Sequence, residues 1–189
     1  MSQTPAHISA ARRTPGGGAP SRHLLVAVAV NRPGVLNRVT SLFRARDFNI
    51  ESLTANHTDR PGLSRMAIVI SGDDDAVEQA SKQLYRLIDV VKVADVTNEQ
   101  VIDHELSLIK IRAGEGQRAQ VLSIIRAYAA RVVDLSRTSL IVEASGTSTQ
   151  VDDLVSALRG FGIAELVRSG PVVMSCGSGS VEDEAGRAH

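Results

Sequence analysis

Leu24-Leu25-Val26-Ala27-Val28-Ala29-Val30, running on into Asn31-Arg32-Pro33-Gly34-Val35-Leu36, is the stretch on which the reading of this chain turns. The apolar run to Val30 has the length and β-branched content of a strand, and beyond Pro33-Gly34 the residues Val35, Leu36, Val39, Leu42 and Phe43 recur at helical spacing. A strand therefore feeds a helix, expected over Gly34 to Ala45, through a short glycine turn. Proline is tolerated in a first helical turn, where its missing N–H would have had no partner, and glycine lets another group approach the backbone closely. The free N–H groups of such a helix start suit a small carboxylate, and a loop this short leaves less room for a polyphosphate. An amino acid fits that description. Taken alone, the Pro-Gly pair is better explained as turn punctuation, and the wider pattern must decide.

Outward from this stretch, the order strand, helix, strand, strand, helix, strand appears twice. In the first unit the strands are Leu24 to Val30, Asn49 to His57, Leu63 to Ser71 and Val90 to Val96, with a turn at Arg60-Pro61-Gly62. Its second helix, Asp74 to Ile88, carries Val77, Ala80, Leu84, Leu87 and Ile88 on one face, and Asp73-Asp74-Asp75 supply a capping oxygen and favourable charge at its start. In the second unit the strands are Glu105 to Arg112, Arg131 to Leu135, Leu140 to Ala144 and Ala164 to Val173. One helical stripe there is Val121, Ile124, Ile125 and Tyr128; the other is Val151, Leu154, Val155, Leu158 and Phe161, capped by Ser148 or Thr149. The order βαββαβ implies a four-stranded antiparallel sheet with both helices on one face, so the fold class is α+β with two tandem ferredoxin-like units. The expected division is a disordered leader over 1–22, a first unit over 23–98, a second over 99–175 and a disordered tail over 176–189. In the first strand Val26, Val28 and Val30 point one way and Leu25, Ala27 and Ala29 the other, so neither face is polar. The face away from the helices needs a cover, either a second protomer or the neighbouring domain of the same chain.

Composition removes several functional classes. Twenty-one basic residues balance twenty-one acidic ones, which argues against a broad attraction to nucleic acid or an anionic membrane. Three Phe, two Tyr and no Trp offer little for base stacking. A single cysteine, Cys176, cannot form an intrachain disulfide, and the scattered histidines show no metal-ligand spacing, so no metal is expected. The longest apolar run is too short to span a bilayer, and the first 22 residues lack the apolar region of an export signal. A cytoplasmic location is expected.

Asn31-x-Pro33-Gly34-Val35-Leu36-x-Arg38-Val39 and Asn49-Ile50-Glu51-Ser52-Leu53-Thr54, with Leu63-Ser64-Arg65-Met66, Gln83-Leu84-x-x-Leu87-x-Asp89-Val90 and Arg168-Ser169-Gly170, carry a resemblance over nearly all of 23 to 175. The chain resembles the small regulatory subunit of acetohydroxyacid synthase (acetolactate synthase), whose first unit is an ACT domain. The resemblance implies a chain without catalytic residues or cofactors of its own. It would bind and activate a large catalytic subunit that carries thiamine diphosphate, a divalent metal (Mg) and FAD, and would confer feedback inhibition by valine or a related branched-chain amino acid. It implies an effector site between paired ACT domains of a homodimer. Backbone N–H groups around Gly34, Val35 and Leu36 would meet the ligand carboxylate. The Asn31 and Asn49 side chains supply carbonyls for the ammonium and amide donors for the carboxylate, and Val35 and Ile50 give apolar surface. Without the resemblance, Val35, Leu36 and Ile50 also read as core positions and Asn49 as a residue that turns the chain into its strand.

Two other readings separate on simple features. A free-standing amino-acid-sensing ACT regulator would have no synthase partner. An acylphosphatase-type enzyme shares the βαββαβ order, but its longer anion-cradling loop signature is missing around Arg32. No nucleophile, base and orienting group fall together at a recognisable spacing.

Overall fold

The computed structural model describes residues 21–181. They form two compact units, one of residues 21–102 with 173–181, the other of residues 103–172. In the first unit the order is β1 (Ser21–Val30), α1 (Val35–Ala45), β2 (Asn49–His57), β3 (Leu63–Gly72), α2 (Asp74–Leu84) and β4 (Val90–Asp95). The strands pair antiparallel in the order β2-β3-β1-β4. The second unit repeats the order with β5 (Val101–Arg112), α3 (Glu115–Ala127), β6 (Arg131–Leu135), β7 (Ser139–Gly146), α4 (Ser148–Leu158) and β8 (Ile163–Arg168), paired as β6-β7-β5-β8. This is the expected α+β architecture in duplicate.

Helix α1 exists because Val35, Val39 and Phe43, spaced at one turn, are all buried, each contributing about 1.5–3 kcal/mol on leaving water. They pack with Leu25, Ala27 and Ala29 of β1, Met66, Ile68 and Ile70 of β3, and Val77, Ala80 and Leu84 of α2. The helix ends in a Schellman turn. Asp47 adopts φ 59°, Phe48 N donates to Phe43 O at 3.0 Å, Asp47 N donates to Arg44 O at 3.2 Å, and the Phe43 and Phe48 rings meet edge to face at 5.9 Å. Helix α3 of the second unit stops the same way. Ala129 has φ 53°, with Ala130 N on Ile125 O and Ala129 N on Arg126 O. The duplication therefore extends to the helix terminators.

Several boundaries differ from the sequence reading. Helix α2 ends at Leu84 and not Ile88: Arg86 N and Leu87 N bond three residues back, which tightens the last turn, keeps Leu87 against the core and turns Ile88 out to 94% exposure. Its start is as expected, with the Asp73 side chain accepting from Ala76 N at 2.7 Å. Helix α4 is capped one residue earlier than expected, by Thr147, in a reciprocal capping box with Gln150. Tyr128 caps the end of α3 and is 43% exposed, so it is not part of the buried stripe. The last expected strand is split into β8 and β9 (Val172–Ser175), because Gly170 takes φ 77° and Pro171 cannot donate to a ladder. β1 starts at Ser21, in register with Gly72, and Arg22 of that strand pairs with Glu51 at 2.6 Å; both residues had been read as leader. The remaining stretches read as disordered, 1–20 and 182–189, lie outside the described residues.

The apolar reverse face of the first sheet is covered from within its own unit. Val26 and Ala67 lie beneath Val96 and Val101, which follow β4, and beneath Val173 and Val181 near the end of the described chain. β9 pairs with β5, and Cys176 N donates to Gln100 O at 2.9 Å. Arg65 closes the same face by donating to Val173 O at 3.0 Å. This cover is neither of the two expected, a second protomer or the neighbouring domain: the segment that follows β4 and the returning strand, both within the first unit, supply it. In the second unit the outer sheet face is open by comparison, with Leu106, Leu108 and Val167 all more than a third exposed.

In the second unit the buried Glu105 carboxylate accepts from Arg168, which also donates to Asp152 at 2.6 Å. Burial acts against the Arg168 charge, but the hydrogen bonds to Glu105 and Asp152 outweigh it and raise the guanidinium above its ordinary range.

Candidate ligand site

A cavity of about 340 Å³ opens where β1 hands over to α1. Ala29, Ala55 and Met66 give it an apolar floor, and the turn Asn31 to Leu36 forms one wall with Asn56, His57 and Ser64 opposite. The size lies at the small end of ligand cavities.

The turn is held in place by hydrogen bonds that leave particular donors free. Asn31 N donates to Gly62 O at 2.8 Å, Val30 N to Asp89 O at 2.8 Å and Arg32 N to Val30 O at 3.0 Å. Gly34 is the helix N-cap, in the left-handed region at φ 86°, with no side chain capping the helix. Pro33 consequently lies before the helix and not in its first turn. Val35 N donates to Arg32 O at 3.3 Å, so it is not available as sequence reasoning supposed. The N–H groups of Gly34 and Leu36 have no partner among the described residues. Two unpartnered N–H groups at the positive end of α1 thus belong to residues that line the cavity.

Gly34 is required for two reasons. A non-glycine residue at its φ costs about 1–2 kcal/mol, and a Cβ there would sit 3.2 Å from Arg38 Nη1. Arg38 is fixed by Asp89, whose Oδ2 accepts from Nε at 2.7 Å and lies 2.5 Å from Nη2. Asp89 is buried and Arg38 about half exposed, so the pair locks the guanidinium behind the turn while compensating a cation near a helix N-terminus. Arg38 and Asp89 stood in the sequence motifs without an assigned role. Their separation of 51 residues hid the pairing.

Among the lining side chains the fixed charge is Arg32, and no carboxylate lines the cavity. The lining suits an anion beside a small apolar group, and any ammonium must be met by neutral oxygens. Asn31, an exposed lining residue, has its Nδ2 3.2 Å from His57 Nδ1. Sequence reasoning missed His57, Asn56, Ser64 and the floor residues, because the strand end that carries them looked like ordinary sheet.

Of the six expected site residues, Asn31, Gly34, Val35 and Leu36 line this cavity. Asn49 and Ile50 do not. They begin β2, whereas His57 at its other end lines the cavity, and eight residues of strand amount to roughly 26 Å. Asn49 is exposed, and Ile50 packs partly against the core of its own unit. Within one chain these two residues cannot meet a ligand held at Gly34.

Among the described residues no three His, Cys, Asp or Glu side chains gather in an arrangement able to hold a metal ion. No helix among them is long and apolar enough to cross a membrane.

Residues 25–92 match the family model described as the acetohydroxyacid synthase small-subunit-like ACT domain, and residues 104–177 match the small subunit of acetolactate synthase. The acetolactate synthase small subunit of Bacillus subtilis is 41% identical over 159 residues, which is 83% of this chain and 92% of that protein. The Mycobacterium leprae small subunit is 43% identical over 155 residues, 82% of this chain and 92% of its own length. The chain belongs to the acetolactate synthase small-subunit family. The crystal structure of the small subunit from Thermotoga maritima agrees, with a TM-score of 0.75 at 32% identity, covering 83% of this chain and 98% of that one. The first unit of this acetolactate synthase small subunit is its ACT domain, and the chain is the regulatory subunit of the enzyme, not its catalytic chain.

Proposed function

We propose that this small subunit binds the large catalytic subunit of acetolactate synthase, raises its activity, and makes it subject to feedback inhibition by valine or a related branched-chain amino acid. The observation that carries the effector reading is the cavity at the start of α1. It combines two unpartnered backbone N–H groups, the cation of Arg32 and an apolar floor of Ala29, Ala55 and Met66. A carboxylate at the helix start gains roughly 0.3–2 kcal/mol from the helix terminus, and a branched aliphatic side chain fits the floor.

The motif sets Asn49 beside Gly34, and a pocket composed of two chains is the arrangement that reconciles this with the length of β2. If Asn49 and Ile50 contribute to the ligand, they come from a second copy, and the effector then reads the geometry of an ACT-domain homodimer. Coupling between such a site and a partner is typically about 1–3 kcal/mol, a change of several-fold to about a hundredfold in affinity or activity. The thiamine diphosphate, magnesium and FAD of the reaction belong to the catalytic subunit in this reading, and the assembly works in the cytoplasm.

Gly34→Asp tests the site. A carboxylate at this position repels the ligand's own, so the variant is expected to activate the catalytic subunit as the wild type does while losing inhibition by valine. Reconstituted synthase activity with and without valine measures both. Unchanged inhibition would remove this cavity from the account.

A further inference from the structure

We propose that His57 is a positioning residue that sets the orientation of the Asn31 amide, so that effector affinity falls when its imidazole takes up a proton. The proposal rests on the effector reading given above. Asn31 Nδ2 lies 3.2 Å from His57 Nδ1, and both are exposed residues of the cavity lining. In the neutral imidazole with its proton on Nε2, Nδ1 accepts from the Asn31 NH₂ group. That bond turns Asn31 Oδ1 away from His57, as an acceptor for the ligand ammonium. The cavity has no lining carboxylate, so a neutral oxygen in this place carries much of the recognition of the ammonium.

Protonation reverses the geometry. Both ring nitrogens then donate, Nδ1–H would face the Asn31 NH₂, and either the exposed pair separates into water or the contact is kept by the amide turning over to give its oxygen to the imidazolium. The amide donors then face the ammonium site, and the imidazolium adds a positive charge next to it. Both changes oppose the ligand ammonium. Imidazole is the side chain that changes charge between about pH 5 and 8, whereas carboxylates and guanidinium groups ordinarily keep theirs. The charged groups on the elements meeting at His57 are Arg32 on the turn before α1, and Asp59 and Arg60 on the turn after β2. Arg65 on β3 lies in register beside Asn56 and reaches Val173 O, and Arg38 on α1 is held by Asp89.

The test is calorimetric titration of the full-length chain with valine from pH 8 to pH 5.5, repeated in buffers of different ionisation heat, for wild type and His57→Leu. In the wild type, Kd is expected to rise about tenfold on acidification, the size of one hydrogen bond to a charged group. Binding near the imidazole range should release protons to the buffer. In His57→Leu both effects should vanish and leave a Kd that does not vary with pH. A flat wild-type profile with binding still abolished by Gly34→Asp overturns the role of His57 and leaves the effector site standing. A pH dependence that persists in His57→Leu also overturns it. No valine binding at any pH overturns both.

Discussion

If the ligand pocket is built from the Gly34 turn of one chain and Asn49 of another, two chains damaged in different halves should repair each other. Asn49→Ala removes a polar group from the start of β2, roughly 26 Å along the strand from the cavity. Gly34→Asp damages the turn itself. Loss of one hydrogen bond to a charged ligand group costs about 1.5–3 kcal/mol, or roughly 10- to 150-fold in affinity, so at valine concentrations near the wild-type Kd neither variant alone should be more than about one-tenth occupied. In a mixed dimer one pocket combines the intact turn with the intact Asn49, and the other combines both lesions. Random exchange of subunits then restores roughly one quarter of the wild-type binding capacity. The assay is calorimetric stoichiometry on differentially tagged chains, with heterodimers confirmed by sequential affinity capture. Absence of restored sites in verified heterodimers would refute the composite pocket, and full valine binding by Asn49→Ala alone would remove Asn49 from it.

Two further predictions concern the scaffold. Asp89→Asn should destabilise the first unit by about 1–3 kcal/mol in urea unfolding, because the carboxylate charge that holds Arg38 is removed and a buried amide NH₂ takes the place of one oxygen, while the half-exposed guanidinium can still reach water. Ala129→Gly should stabilise the chain by about 0.5–1 kcal/mol in a thermal melt, since relief of roughly 1–2 kcal/mol at φ 53° outweighs the added entropy of a glycine in the unfolded chain.

The periodicities of apolar residues were sufficient to read the duplicated βαββαβ order, and the Asn49 to His57 strand was read residue for residue. Errors fell where hydrogen bonding and periodicity part company. Ile88 fits the α2 stripe, yet the tightened last turn puts it in water. Ala129 and Asp47 end their helices in left-handed conformations that neither residue type advertises as glycine would. The reverse face of the first sheet was visibly apolar, but its cover comes from Val173 and Val181, far along the chain, where no local pattern points back. At the site, Gly34 was legible as the glycine of a short turn that opens a helical stripe, whereas its left-handed conformation outside the helix was not. The Arg38–Asp89 lock and the Asn31–His57 contact are tertiary pairings between residues 51 and 26 positions apart. Asn49 was grouped with Gly34 by motif, and the length of β2 from Asn49 to the cavity-lining His57 means that such a grouping requires two chains.

Activity of the catalytic subunit, measured with and without this chain and titrated with valine, leucine and isoleucine, addresses the central claim most directly. A regulatory subunit of this kind is expected to raise the activity, and a branched-chain amino acid to lower it only when the chain is present. Equal activity with and without the chain, together with indifference to all three amino acids, would contradict the claim.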